Sequence, residues 1–503
     1  MNYIDSFLNR ITMYRLVLYY LIALLVAAAV LGVFHILPYS PVAIGTSVFV
    51  LIASSWLTNK AFAYCYRAVP GSASSYITAL ILALIVSPVL PTNYMGLLFL
   101  AMLGVWAMAS KYFFAIDGKH VFNPAAFAVA FAALFVNQGA TWWVAGNLVL
   151  LPILLVGGLL IVRKIRRFDL VIAFAVAALA TVAATATASP LNAVWMTLIH
   201  SSFFFLAFVM LTEPATMPPT KWLRVAYGIF VGIWFAPNIH VGSFYFTPEL
   251  ALLLGNVLVY VVSPKGRLML TLTARNKLAA GTYEFVFSSN RKLDFKPGQY
   301  LEWTIGKVRF DSRGNRRYFT IASSPTEREI RLAVRFYEPS STFKKALITL
   351  KPGDTISAAQ LAGDFTLPTK KTEKVAFIAG GIGVTPFRSM VQYMLDTKDT
   401  RSAALLYSNK LAQEISYVDL FERARAELGM KTIYALTNEP QPVEGAYMGF
   451  IDAKLIQTEL PDYRERTFYI SGPQGMVDAF KKTLHDMGVR GSRIKTDYFP
   501  GFA

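Results

Sequence analysis

The segment AGGIGVTP, residues 379–386, sets Gly380, Gly381 and Gly383 at the end of the apolar run KVAFIAG and just before Thr385 and Pro386. Glycines let a backbone come close to a ligand, and a proline suits the first turn of a helix. On its own, such a glycine-rich loop is weak evidence of a nucleotide site. Composition closes other chemistries. The single cysteine, Cys65, excludes a disulfide framework, a four-cysteine zinc site and a cysteine-ligated iron–sulfur cluster. Cys65 itself reads as a small apolar filler. No metal site is expected.

Periodicity predicts the elements that position this loop. From residue 268 the chain runs in short alternating segments: LMLTLTARN, TYEFVFSS, GQYLEWTI, EIRLAVRFY and DTISAAQL. Turns such as Lys296-Pro297-Gly298 and Lys351-Pro352-Gly353-Asp354 separate them, which predicts an antiparallel β-barrel over 268–370. From 371 strand-like and helix-like runs alternate: KVAFIAG then a helix from 385, SAALLYSN then 413–428, KTIYALTN, and RTFYISG then 473–487. That predicts a parallel α/β domain over 371–503.

Residues 1–267 are of another kind. The chain is 55% hydrophobic and 14% aromatic, and the excess is concentrated in residues 14–263. A helix needs about 20 apolar residues to cross a bilayer. Candidate spans fall at 14–37, 41–58, 74–90, 94–114, 121–137, 142–162, 168–187, 191–211, 222–237 and 244–263. Their Pro- and Gly-rich joints predict broken or re-entrant pieces, buried in protein because loop backbone cannot face lipid. With the N-terminus inside, all 14 basic residues of this half fall on inner segments, from Arg10 and Arg15 through Arg163, Lys164, Arg166 and Arg167 to Arg267. Ten spans in the inner (cytoplasmic) membrane, with both termini cytoplasmic, are therefore expected, and no cleavable signal peptide is evident. The formal charge of +18 does not point to nucleic acid: no basic run exceeds RKIRR (163–167), and half of the excess lies in the membrane half.

Three stretches of that half, SSYITALILALIVSP (74–88), HVFNPAAFA (120–128) and MLTEPATMPPT (210–220), resemble the family of membrane flavoproteins shared by the Na+-translocating NADH:quinone reductase and the Rnf complex. The resemblance covers about residues 40–265. It implies a ten-helix inverted repeat similar to urea transporters, with flavin inside the membrane. Asn123 is then a candidate for lining a cofactor site, although Asn123-Pro124 is also a good helix cap. Glu213 and the prolines of 214–219 fit an ordinary cytoplasmic turn. Asp117 and Asp169 are expected to be solvated or paired with nearby bases, and His35, His120, His200 and His240 to be core or interfacial. The family attaches FMN to the last residue of Asp-x-x-(Ser/Thr)-Gly-Ala-(Ser/Thr). Against AATATASPL (183–191) the acceptor falls on Ser189, but Ala183, Ala186 and Thr187 replace three residues of the pattern. FMN or riboflavin held without a covalent bond is the expectation.

Residues 268–503 resemble the ferredoxin–NADP+ reductase superfamily. Its flavin motif Arg-x-(Tyr/Phe)-(Ser/Thr) reads Arg317-Tyr318-Phe319-Thr320 here. The resemblance implies that Arg317 pairs with the FAD pyrophosphate, that Phe319 lies against the isoalloxazine, and that Thr320 bonds near its N5. PSSTFKKAL (339–347) sits where the family opens a short helix on the pyrophosphate, which makes Ser340, Ser341 and Thr342 candidates. SGPQGM (471–476) matches the family's Cys-Gly-Pro segment near the nicotinamide, with Ser471 in place of cysteine before Gly472 and Pro473. DYFPGF (497–502) matches its C-terminal acidic–aromatic segment, so Phe499 or Phe502 would shield the flavin.

Together these imply a flavin-dependent NAD(P)H oxidoreductase whose electrons pass through FAD into the membrane half. A bilayer core about 30 Å thick calls for a relay. Haem needs paired axial histidines, and the four histidines of residues 1–267 never fall two to a helix. Flavin remains. The terminal acceptor would be an extracytoplasmic flavoprotein or a quinone. A redox-driven Na+/H+ pump and a transporter with a regulatory reductase domain are the alternatives. Scarcity of buried charge counts against the pump.

Overall fold

The structure is a computed structural model that describes residues 4, 7–8, 11–66, 72–116, 119–263, 267–306, 315–338 and 340–497. The chain divides into two compact units, the first before and the second after about residue 265.

The first unit is helical. Each of the ten candidate positions holds a helix or a broken pair, but among the described residues only Met13–Val33, Pro41–Cys65, Tyr94–Phe113 and Phe168–Thr185 are long and apolar enough to cross a membrane. Pro190–His200 and Phe203–Met210 bend by 63°. Ser201 satisfies the backbone at this break: its Oγ donates to the Thr197 carbonyl at 2.5 Å and accepts from the Phe203 amide at 3.1 Å. Prolines at helix starts, as in Pro41–Cys65, Pro124–Val136 and Pro248–Val262, mark the joints that a hydropathy count alone passes over. Cys65 ends its helix exposed rather than filling the core.

Five helices pack in one pattern twice. Pro41–Cys65 packs on Ser72–Ile85 and on Tyr94–Phe113, which packs on Pro124–Val136. Correspondingly, Phe168–Thr185 packs on Pro190–His200 and on Lys221–Phe235, which packs on Pro248–Val262. Met13–Val33 meets Leu151–Ile165, and Pro124–Val136 meets Pro248–Val262, so like positions join the two sets. Small residues allow the closest approaches. A Cβ on Gly228 would stand 2.7 Å from the Leu170 carbonyl, and one on Gly232 would stand 2.7 Å from that of Phe174.

In the second unit, six antiparallel strands run in the order Arg316–Thr320, Tyr300–Thr304, Thr355–Ala362, Leu268–Ala279, Thr282–Ser289, Ile330–Arg335. Just past the first of these, Ala322 N–H donates to the Arg331 carbonyl at 2.8 Å, which brings the two sheet edges together around a core with Trp303, Phe285, Phe287 and Phe343. The following α/β part has a parallel sheet in the order Ala446–Met448, Lys431–Leu436, Ala403–Asn409, Val375–Gly380, Thr467–Ser471, Ile494–Thr496. Its central strands Val375–Gly380 and Thr467–Ser471 are buried along their whole length, as a parallel sheet covered by helices requires.

Candidate functional site

Val375–Gly380 and Thr467–Ser471 are neighbours in register, Ala379 opposite Ser471. From Val375–Gly380 the chain winds outward through Ala403–Asn409 and Lys431–Leu436, then returns to lay Thr467–Ser471 on the other side. The carboxyl ends of these two strands are thus a topological switch point, where open α/β sheets bind ligands. Both glycine segments lie there. Gly381 has φ +51°, which favours glycine. A Cβ on Gly383 would stand 2.5 Å from the Ser471 carbonyl oxygen and 2.6 Å from Gly472 N, and one on Gly380 2.3 Å from Met476 Sδ. The missing side chains of Gly380 and Gly383 also let the two loops approach each other. Thr385 is buried, with its Oγ1 donating to the Ile382 carbonyl at 2.6 Å, and Pro386 sits in the first turn of Thr385–Asp396. The Ser471 hydroxyl, 3.1 Å from Asp497 Oδ2, is a donor to that carboxylate, while Pro473 precedes helix Gln474–Asp486.

Along the barrel's edge strand, alternation sends Arg317 and Phe319 to one side. The Arg317 guanidinium lies 5.4 Å from the Phe343 ring, and the Phe319 ring lies 5.8 Å from the same ring. Phe343 belongs to the first turn of helix Thr342–Ile348, capped by Ser341 Oγ accepting from Lys344 N. Ser340 Oγ donates to the Tyr337 carbonyl at 2.7 Å. A fixed cation beside a helix start suits a diphosphate, so these residues fit the pyrophosphate of FAD. The Tyr318 hydroxyl bonds Glu302 at 3.0 Å and Gln360 at 3.2 Å. Thr320 is buried opposite Tyr300. Pro339, Phe499 and Phe502 lie outside the described residues, as does Asp117.

In the helical unit the three stretches singled out in the sequence converge. Lys111 Nζ donates to Ser74 Oγ at 3.0 Å and Thr78 Oγ1 at 3.1 Å, and it lies within electrostatic reach of Glu213. The Glu213 carboxylate takes a hydrogen bond from Asn123 Nδ2 at 2.8 Å and faces His120 Nε2 at 3.3 Å. Asn123 is 2% exposed and each of its polar atoms is engaged, since Oδ1 caps Ala126 N–H and its own amide donates to Asn256 Oδ1. It therefore holds this cluster together. Glu213 is a clamped carboxylate, not an ordinary turn residue. Asp169 pairs with Arg224 at 2.8 Å, as expected. Among the described residues of this unit, Lys164, Arg224 and Glu249 are the buried charged side chains. Ser189 is exposed and caps helix Pro190–His200.

Residues 377–482 match the family model of the oxidoreductase NAD-binding domain, and residues 144–264 match that of the NQR2, RnfD, RnfE family. Three curated relatives align with the reductase half. A flavohemoprotein of Bacillus cereus is 27% identical over 41% of this chain and 53% of its own. NADH-cytochrome b5 reductase 1 of Aspergillus terreus is 28% identical over 35% and 62%. A component of the Na(+)-translocating NADH-quinone reductase of Psychrobacter arcticus is 29% identical over 32% and 41%. The chain spans about half the length of these relatives. Both switch-point loops fall inside the stretch that matches the oxidoreductase NAD-binding domain. The chain thus joins a stretch that matches the NQR2, RnfD, RnfE family model to a stretch that matches the oxidoreductase NAD-binding domain.

Proposed function

We propose that this protein is a membrane-bound NAD(P)H dehydrogenase that delivers electrons to an extracytoplasmic flavoprotein or a quinone. The observation that carries it is the pair of switch-point loops Gly380–Gly383 and Ser471–Pro473, in one chain with an apolar helical unit. Two of the relatives are named for NADH, which favours NADH over NADPH. The nicotinamide nucleotide would lie on the backbone of those two loops, with Thr385 and Pro386 opening the helix beneath it. Arg317, Ser341 and the first turn of Thr342–Ile348 would hold the FAD pyrophosphate, with Phe319 and Thr320 beside the ring. Bound FAD accepts a hydride and releases electrons singly, and FMN or riboflavin in the membrane half, held without a covalent bond, would carry them onward. The Glu213 cluster supports a cofactor or ion site there, since buried polar groups in a membrane mark function. The doubled packing pattern supports ten spans built as an inverted repeat, with both termini cytoplasmic in the inner membrane.

Purified in detergent, the full chain should carry FAD and reduce ferricyanide with NADH. A folded preparation that takes up no FAD on reconstitution refutes the proposal. The buried charges favour a second reading, a redox-driven Na+/H+ pump. Proteoliposomes that reduce acceptor with no Na+ or H+ movement exclude it.

A further inference from the structure

Barrel and α/β part meet through a closed ring of charged groups. Arg388, one turn into the helix that leaves the glycine loop, donates Nη2 to Glu327 Oε1 at 2.9 Å and Nη1 to Glu327 Oε2. Glu327 also meets Arg331 Nε at 3.3 Å, and Arg331 Nη1 reaches Glu284 Oε2 at 2.9 Å. The Tyr417 hydroxyl donates to Glu284 Oε1 at 2.9 Å, and the Arg388 guanidinium lies 5.8 Å from the Tyr417 ring, which closes the ring. Glu284, Glu327 and Arg331 come from the barrel part, Arg388 and Tyr417 from the α/β part. Burial and then the Glu284 carboxylate hold the Tyr417 phenol well above its ordinary range, so it remains a donor.

The ring sits directly behind the segment that follows the edge strand Arg316–Thr320. Arg388 Nη1 donates to the Ala322 carbonyl at 3.1 Å, and the next residue, Ser389, donates Oγ to the Ser323 carbonyl at 2.7 Å. Thr320 is two residues before Ala322, and Thr385 is three before Arg388. The strand assigned to flavin and the loop assigned to nicotinamide are therefore tied, one short step from each. Arg388 is buried, so its fork bonds two barrel groups without competition from water.

We propose that Arg388 is a positioning residue that sets the separation of nicotinamide and flavin for hydride transfer, resting on the reading of these two sites given above. Lysine at 388 keeps the charge and loses the fork. A misplacement of about 1 Å costs on the order of a hundredfold in rate.

The full chain with FAD, in detergent, is mixed with NADH and with C4-deuterated NADH while flavin absorbance is followed. Arg388→Lys should lower the limiting rate of reduction per bound flavin by about tenfold to a hundredfold, with the NADH dissociation constant held within about threefold. The deuterium isotope effect should rise, and the long-wavelength charge-transfer band of stacked nicotinamide and flavin should weaken. A purely structural role would lower flavin content or melting temperature and leave both the rate per flavin and the isotope effect unchanged; that result overturns the proposal. Should Arg388→Lys not fold, Tyr417→Phe removes one hydroxyl from the ring and decides alone: a slower limiting rate supports the proposal, an unchanged one overturns it. If wild-type flavin is not reduced by NADH, the site reading itself fails, an outcome distinct from a variant that behaves like wild type.

Discussion

A guanidinium held against the Phe343 ring at the first turn of a helix puts its charge where a diphosphate needs it. Removing one partner of a buried, hydrogen-bonded charge pair costs about 2–5 kcal/mol. Arg317→Ala should therefore weaken FAD binding by at least about thirtyfold, read as flavin fluorescence released on gel filtration. FAD retained at full stoichiometry would remove Arg317 from the site. Ser189 poses the opposite case. Its hydroxyl is already engaged as an N-cap, 3.4 Å from the Asn192 amide, and Thr187 puts a β-branched side chain beside it. Protein produced alongside a flavin transferase should show no added FMN-phosphoryl mass. An added mass that disappears in Ser189→Ala would show the membrane flavin to be covalent.

Elements make a different demand, on backbone that must pass close to backbone. Gly381 and Gly383 lie in one turn and should respond differently to alanine. At Gly381 the nearest atom to a new Cβ is Arg335 Nη1 at 3.6 Å, ordinary contact, so Gly381→Ala bears only the cost of its positive φ, about 1–2 kcal/mol. At Gly383 the Cβ meets backbone at 2.5 Å, and the two switch-point loops must part. Gly383→Ala should lose NADH affinity and melt lower than Gly381→Ala; equal behaviour would mean that the loops are not packed as described. The strands themselves were legible in sequence, because alternation and Gly/Pro turns are local: TYEFVFSS is the strand Thr282–Ser289, residue for residue. The ion ring and the Glu213 cluster were not. Tyr417 and Glu284 are 133 residues apart, and Asn123 and Glu213 are 90 apart, so no spacing in the sequence announces either bond. Nor does hydropathy show that 191–211 is bent at Ser201, since a broken apolar run has the same composition as a straight one.

For the whole molecule the question is which side of the membrane each end of the helical unit faces. Helices that fall short of span length make a count by length ambiguous. Charge does not depend on helix length: lysine and arginine resist translocation whether the span beside them is whole or broken. All 14 basic residues of this half sit on segments that alternate with uncharged ones, and losing one crossing would put some of them outside. The doubled packing pattern agrees with that count, since five crossings in each set would bring the second set in from the opposite side. Three exposed joints test the uncharged side. Asn93 begins the helix Tyr94–Phe113, Gln138 follows the left-handed cap Asn137, and Gly242 is the turn between His240–Val241 and Phe244–Tyr245. Reporter fusions after each of these should read as outside. Fusions after Arg167 and at Ala503 should read as inside, where a reductase needs NADH. A basic segment found outside would break the alternation, and with it both the ten-span count and the supply of electrons from the cytoplasm.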